Sequence, residues 1–287
     1  MIRRLRRQLV DLATNLLTKP LGRYQRRTPN DLASLRRHIK KGDVVLVEGD
    51  QRVSEVIKYL TQSSWSHSAI YVGDELWRRH PERRRELLAK YGDEAQHLIV
   101  EAIVEEGVVA SPLSKYIDFN IRVCRPCNLR REDLRIVLDE VLAQIGLRYD
   151  VRNLVDLARY FLPVSMVPRA FRRTALEFGS GLPTQVICST LIARAFDKVR
   201  YPILPEVELA AEEDVEARWT LDPRNLLDWV TQRPLQQLCL FRTGPITLTT
   251  PRDFDISPYF DVIKFNILAD SQFDYRRIRW AEETKAS

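Results

Sequence analysis

Short, nearly continuous apolar runs alternate along this chain with longer stretches of helical spacing. VVLVEG (44–49), SAIYVG (68–73), HLIVEAIV (97–104) and IRVCR (121–125) read as strands, SAIYVG as a buried one. Between the first two, QRVSEVIKYLTQSS (51–64) places Val53, Val56, Ile57 and Leu60 on one helical face. Ahead of them, PNDLASLRRHIKKGD offers Asn30 or Asp31 as a helix cap, a basic helix end and a Gly42-Asp43 turn. ELWRRHPERRRELLAKYGDE reads as a charged insertion, partly helical and broken at Pro81. REDLRIVLDEVLAQIG (131–146) predicts an amphipathic helix ending at Gly146, and RNLVDLARYFLP (152–163) another. STLIARAFDKV (189–199) predicts a helix that opens just after Cys188. The last third mixes a short helix, NLLDWV, with strand-like LCLFR and YFDVIKFNIL. Strands first and helices later point to an α+β domain with a largely antiparallel sheet.

Charge changes the picture at one end. Residues 1–41 hold 12 Lys/Arg against Asp11 and Asp31, whereas the remainder is net acidic. In MIRRLRRQLVDLATNLL, residues Ile2, Leu5, Leu9, Leu12 and Leu16 form one face of a helix, with arginines mostly on the others. A basic amphipathic helix of this kind is expected to lie against an anionic membrane surface through residues 1–20. Docking on its own domain or on a partner protein is the competing expectation. No nucleic-acid partner is expected, because the basic cluster lacks interleaved aromatics and a binding motif. No run has the apolar length of a signal-peptide core or a membrane span. The expected location is therefore cytoplasmic, with peripheral attachment at the inner face of the membrane.

Four cysteines without a secretion signal do not suggest a disulfide framework. Cys124 and Cys127 form CRPC, but no second ligand pair accompanies them, so neither a metal nor another cofactor is expected. Cys239 in LCLFR reads as a buried strand residue.

The candidate chemistry lies in WSHSAIYVGD (65–74) and QVICSTLIARAF (185–196). His67 opens an apolar strand. Cys188 precedes a helix with Ser189 and Thr190 in its first turn. A thiol at a helix N-terminus meets the positive end of the dipole, which favours thiolate, and nearby N–H groups can hold an oxyanion. A nucleophilic cysteine needs a base, and the base needs an orienting group. Glu101, a lone acid within LIVEAIV, is the preferred orienter, because a buried carboxylate needs a partner and an imidazolium on a neighbouring strand would supply one.

GDVVLVEG, WSHSAIYVG, VEAIVEEGV, GLRYD and ICSTLIARAF, in that order, resemble the permuted papain-like amidase family YaeF/YiiX, which belongs with NlpC-type and lecithin:retinol acyltransferase-like enzymes. The resemblance covers roughly residues 40 to 200. It implies a circularly permuted papain-like domain in which an antiparallel sheet packs on helices, including the cysteine-bearing helix. By position it implies Cys188 as nucleophile, His67 as general base and then acid, and Glu101 as its orienter. Tyr149 in GLRYD and Ser189 would serve substrate or oxyanion. The chain departs from the pattern in a large charged insertion at 74–96 and a long Tyr149-to-Cys188 segment.

The expected organisation is a basic helical region (1–40), the catalytic domain (41–204) and a C-terminal extension packed on it (205–287). The expected function is a cysteine hydrolase or acyltransferase that cuts an amide or ester through a thioester, without a cofactor. Its expected substrate is a lipid or lipid-linked acyl group at a membrane. A cell-wall peptide amidase and a catalytically silent lipid-binding module are the alternatives.

Overall fold

The structure, a computed structural model, describes residues 24–27, 29–103, 106–147, 185–204, 206–209, 239–242, 246 and 249–265. The sequence expectations for residues 1–20, Tyr149, RNLVDLARYFLP and NLLDWV lie outside the described residues.

Helix α1 (Leu32–His38) starts where Asp31 accepts the Ser34 N–H at 2.8 Å, and ends in three basic residues. Gly42 then turns the chain at φ +89°, and a Cβ there would sit 2.6 Å from Leu134 Cδ1. This position therefore excludes a side chain on two counts. Next come β1 (Val44–Glu48), α2 (Arg52–Thr61) and β2 (His67–Gly73). The charged insertion is helical, as α3 (Glu75–Arg79) and α4 (Arg84–Tyr91), with a single 3-10 turn at Pro81 between them. Strands β3 (Leu98–Ile103) and β4 (Gly107–Pro112) form a hairpin, followed by a 3-10 turn (Leu113–Tyr116) and β5 (Asn120–Pro126). Helices α5 (Arg131–Ala143) and α6 (Gln185–Asp197) follow, then β6 (Glu206–Leu209), β7 (Cys239–Arg242), α7 (Pro251–Ile256) and β8 (Phe260–Ile263).

Strands β4-β3-β2-β1-β5-β8 make one sheet in which every neighbouring pair is antiparallel. Strands β6 and β7 pair separately. The α+β expectation holds, and β4 is a strand that the hydrophobic pattern did not single out.

Alternate residues of the sheet feed two cores. Val44, Leu46, Ile70, Val72 and Val100 pack with α5 and α6. Val45, Val47, Ala69, Tyr71 and Ile99 pack beneath α1 and Leu113. Phe196, Tyr201, Phe254 and Phe260 meet at centroid distances of 5.4–5.6 Å. Most of these contacts are edge-on, and each such pair adds about 0.5–1.5 kcal/mol beyond its burial. They join α6, α7 and β8 into one packed layer.

Residues 24–27, 29 and 30 lie as a strap against the loop that leaves the 113–116 turn. Asn30 donates to the carbonyls of Ile117 and Phe119 at 2.8 and 2.6 Å. The Arg27 N–H donates to Asn120 Oδ1 at 2.8 Å, and Arg26 pairs with Asp118 at 2.8 Å. Tyr24 stacks at a tilt on Phe119, which sets its edge against Tyr116.

Candidate active site

The first turn of β2 is fixed before His67 is reached. The Ser66 N–H donates to the Val47 carbonyl at 3.0 Å, and its hydroxyl accepts the Gly49 N–H at 2.9 Å. Trp65 Nε1 donates to Asp255 at 2.9 Å, and the Arg122 guanidinium lies 5.1 Å over the indole while pairing with the same carboxylate. Gly49 has no room for a side chain, since a Cβ would collide with Ser54 and crowd Ser66 Oγ. His67 thus leaves a rigid corner with 20% of its side chain exposed.

Register brings it a carboxylate. Ala69 pairs with Glu101 across β2 and β3, and His67 is two residues from Ala69, on the same face of the sheet. Glu101 is fully buried, and its Oε2 accepts from His67 Nε2 at 2.7 Å. Two further donors saturate it: Lys115 Nζ on Oε1 at 2.6 Å, and the Tyr116 hydroxyl on Oε2. Burial alone would raise the Glu101 pKa. The hydrogen bond and charge of His67, then Lys115, outweigh burial and hold the carboxyl well below the usual carboxylate range. Burial, and then Glu101, push the Tyr116 phenol up, so it stays a donor.

Cys188 is buried and lies within the first turn of α6, whose first residue is Gln185. This corrects the expectation that the helix opens after the cysteine. The apolar QVI segment continues the helix instead of preceding it as a strand-like run. The thiol still lies in the turn where the dipole is felt. Ladder pairing of β2 with β3 runs no further than Ala69–Glu101, and Ser68 beyond it favours the Cys188 thiolate. Ser189 is fully buried, with its hydroxyl 3.3 Å from that of Ser68 and 3.9 Å from the sulfur. It ties the start of α6 to β2.

Burial alone would raise the Cys188 pKa and lower that of His67. Their mutual attraction and hydrogen bond reverse both, with Ser68 adding to the first and Glu101 to the second. The thiol is lowered and the imidazole raised, which is the thiolate–imidazolium combination. Since Nε2 is taken by Glu101, Nδ1 is the ring nitrogen left for the sulfur. The order along the chain is histidine strand, carboxylate strand, cysteine helix. Residues 38–176 match the family model of the permuted papain-like amidase enzymes of the YaeF/YiiX, C92 family.

Over that stretch, just under half of its length, the chain is similar to the YaeF/YiiX permuted papain-like amidases. The family match contains His67, Glu101 and Tyr149 and stops short of Cys188, which joins the first two through the fold. No curated protein matches the sequence. The crystal structure of metalloprotein yiiX from Escherichia coli O157:H7 aligns with a TM-score of 0.42 and 14% identity, over 79% of this chain and 97% of that one. Among the described residues of the present chain, no group of three or more His, Cys, Asp or Glu side chains is placed to hold a metal ion. Among them, too, no helix is long and apolar enough to cross a membrane.

Sequence reasoning did not name Lys115, Tyr116 or Ser68. A signal for the first two was present: a buried strand carboxylate wants more than one donor, and the Gly107 turn folds the next strand back beside it.

Proposed function

We propose that the protein is a cysteine amidase or hydrolase that works through a thioester on Cys188. The observation that carries this reading is the hydrogen bond of His67 to the buried Glu101, with Cys188 close enough to the imidazole for each to shift the other's pKa. The Cys188 thiolate attacks a carbonyl carbon, forming the C–S bond as the carbonyl π electrons move to oxygen. Backbone N–H groups around the start of α6 are the candidate oxyanion donors. The intermediate collapses, the C–N or C–O bond breaks, and the leaving group takes the proton of His67. Neutral His67 then accepts a proton from water as it attacks the thioester, and the expelled thiolate restores the ion pair. Glu101 holds the ring in place throughout.

The substrate reading is a lipid or lipid-linked acyl amide or ester at an anionic membrane. It is supported by the basic, amphipathic sequence of residues 1–20. Incubation with lipid amides and esters, acid quench and mass spectrometry of the Cys188 peptide tests both parts. An acyl mass on Cys188 is the expected result. Absence of any acyl-enzyme across lipid and cell-wall peptide substrates overturns the catalytic reading. Removal of residues 1–20 should reduce binding to anionic liposomes more at low salt than at high salt, and equal binding with and without them sinks the membrane part.

A further inference from the structure

Glu101 has a second charged neighbour whose purpose the nucleophile mechanism leaves unexplained. Lys115 donates to Oε1, the oxygen His67 does not use, at 2.6 Å. The other donors divide cleanly: His67 and Tyr116 share Oε2. The Lys115 ammonium also lies 5.1 Å over the Tyr116 ring, which itself stands 5.8 Å from the imidazole. Both residues come from one 3-10 turn, and Arg27 and Asn30 of the strap hold the loop leaving that turn. The turn that carries this ammonium is thus tethered just downstream, and the ammonium itself is held by Glu101 and the Tyr116 ring, although the Lys115 side chain is 35% exposed.

We propose that Lys115 is a positioning residue of the cysteine site, a counter-ion that balances Glu101 so that the charge of His67 is left to hold the thiolate. This rests on the amidase reading above. With Lys115 present, the charges alternate: thiolate, imidazolium, carboxylate, ammonium. Without it, two anions share one imidazolium in a water-poor site, and the cheapest relief is a proton on sulfur. Among the described residues, the charged and titratable groups recorded against Glu101 are His67 from β2 and Lys115 and Tyr116 from the turn; against His67 they are Glu101, Cys188 and the Tyr116 ring. No other cation in this set balances the carboxylate.

The test is the pH dependence of Cys188 alkylation by iodoacetamide, read by mass spectrometry on the full chain. It needs no substrate. Lys115→Met should move the acid limb up by on the order of one pH unit. Lys115→Gln keeps a hydrogen-bond donor without the charge and should shift it equally, and Lys115→Arg should restore it. Should an apolar Met at this part-exposed position impair folding, Gln carries the comparison alone. An unshifted limb in Lys115→Gln, with the wild-type limb low, overturns the role of Lys115 and leaves the cysteine reading standing. A wild-type limb at the position of an ordinary thiol overturns both.

Discussion

Glu101 and His67 meet because one strand register places them on the same face of the sheet, with the carboxylate opposite Ala69 and the imidazole two residues away. Register errors on a sheet come in steps that flip every side chain to the other face. The pair therefore exists only in the native ladder, and the fold itself enforces the alignment on which the proposed chemistry depends.

Replacing Glu101 separates that alignment from charge. Glu101→Gln keeps the shape but takes away the buried charge that three donors share. Activity should fall by roughly a hundredfold or more, the scale of losing an acid–base partner. Breaking a buried charged contact should also cost about 3 kcal/mol, the lower end for such pairs because Lys115 reaches water. The sign with pH follows from a depressed carboxyl: its stabilisation is full above the usual carboxylate range, declines as pH falls below that range and is gone only at the depressed value. Thermal melts of the two proteins should thus stay apart through mild acid and converge only in strong acid. Convergence near the ordinary carboxylate pKa would contradict the assigned contact.

The three residues of the chain were legible in the sequence for different reasons. His67 opens a strand, Glu101 interrupts an apolar run, and Cys188 begins a helix-like stretch. Each breaks a local pattern, which makes it visible. Lys115 and Tyr116 break none: a lysine and a tyrosine after a proline are ordinary loop residues. Their meeting with Glu101 depends on the β3–β4 hairpin, and β4 is a short run, GVVASP, whose middle is not uniformly buried. The start of α6 was misplaced because Val186 and Ile187 favour strands, while packing on β2 and β3 decides the outcome. The role of Tyr149 lies outside the described residues.

Cys188→Ala should abolish turnover and leave the melting temperature close to that of the wild type. The site is small and buried, and alanine fills most of it while removing the charge of the ion pair. Circular dichroism melts alongside an acyl-probe assay would check this. Loss of the fold, rather than of labelling, would mark Cys188 as a packing residue.

Thiol reactivity should separate two buried cysteines by environment. Cys188 is lowered against its burial by His67, whereas burial, then Asp255, pushes Cys124 up to about 12. At neutral pH iodoacetamide should label Cys188 and spare Cys124 in the native protein, and denaturation should erase the contrast. His67→Ala should move Cys188 labelling toward alkaline pH, because the cation that favours the thiolate is gone. Equal native rates for the two thiols would refute the ion pair.

Gly49→Ala tests the rigid corner in front of His67. The added methyl collides with Ser54 and crowds Ser66, and overpacking of this kind costs about 1–3 kcal/mol. Activity should drop further than stability explains, since Ser66 is next to the base. A variant with a lowered melting temperature and full specific activity would show that the corner does not position His67.

The last strand of the sheet has a bearing on how the protein is made. Strand β5 pairs with β1 on one side, and on the other with β8, which lies more than a hundred residues further along the chain. As the polypeptide leaves the ribosome, β1 to β5 can assemble while the outer edge of β5, with Val123 and Cys124, still lacks its neighbour. An unpaired edge invites pairing with other chains, and closing so long a loop is slow. Until Phe260–Ile263 pairs with β5 that edge of the sheet has no strand beside it; its arrival caps the edge and seats Phe260 against α6.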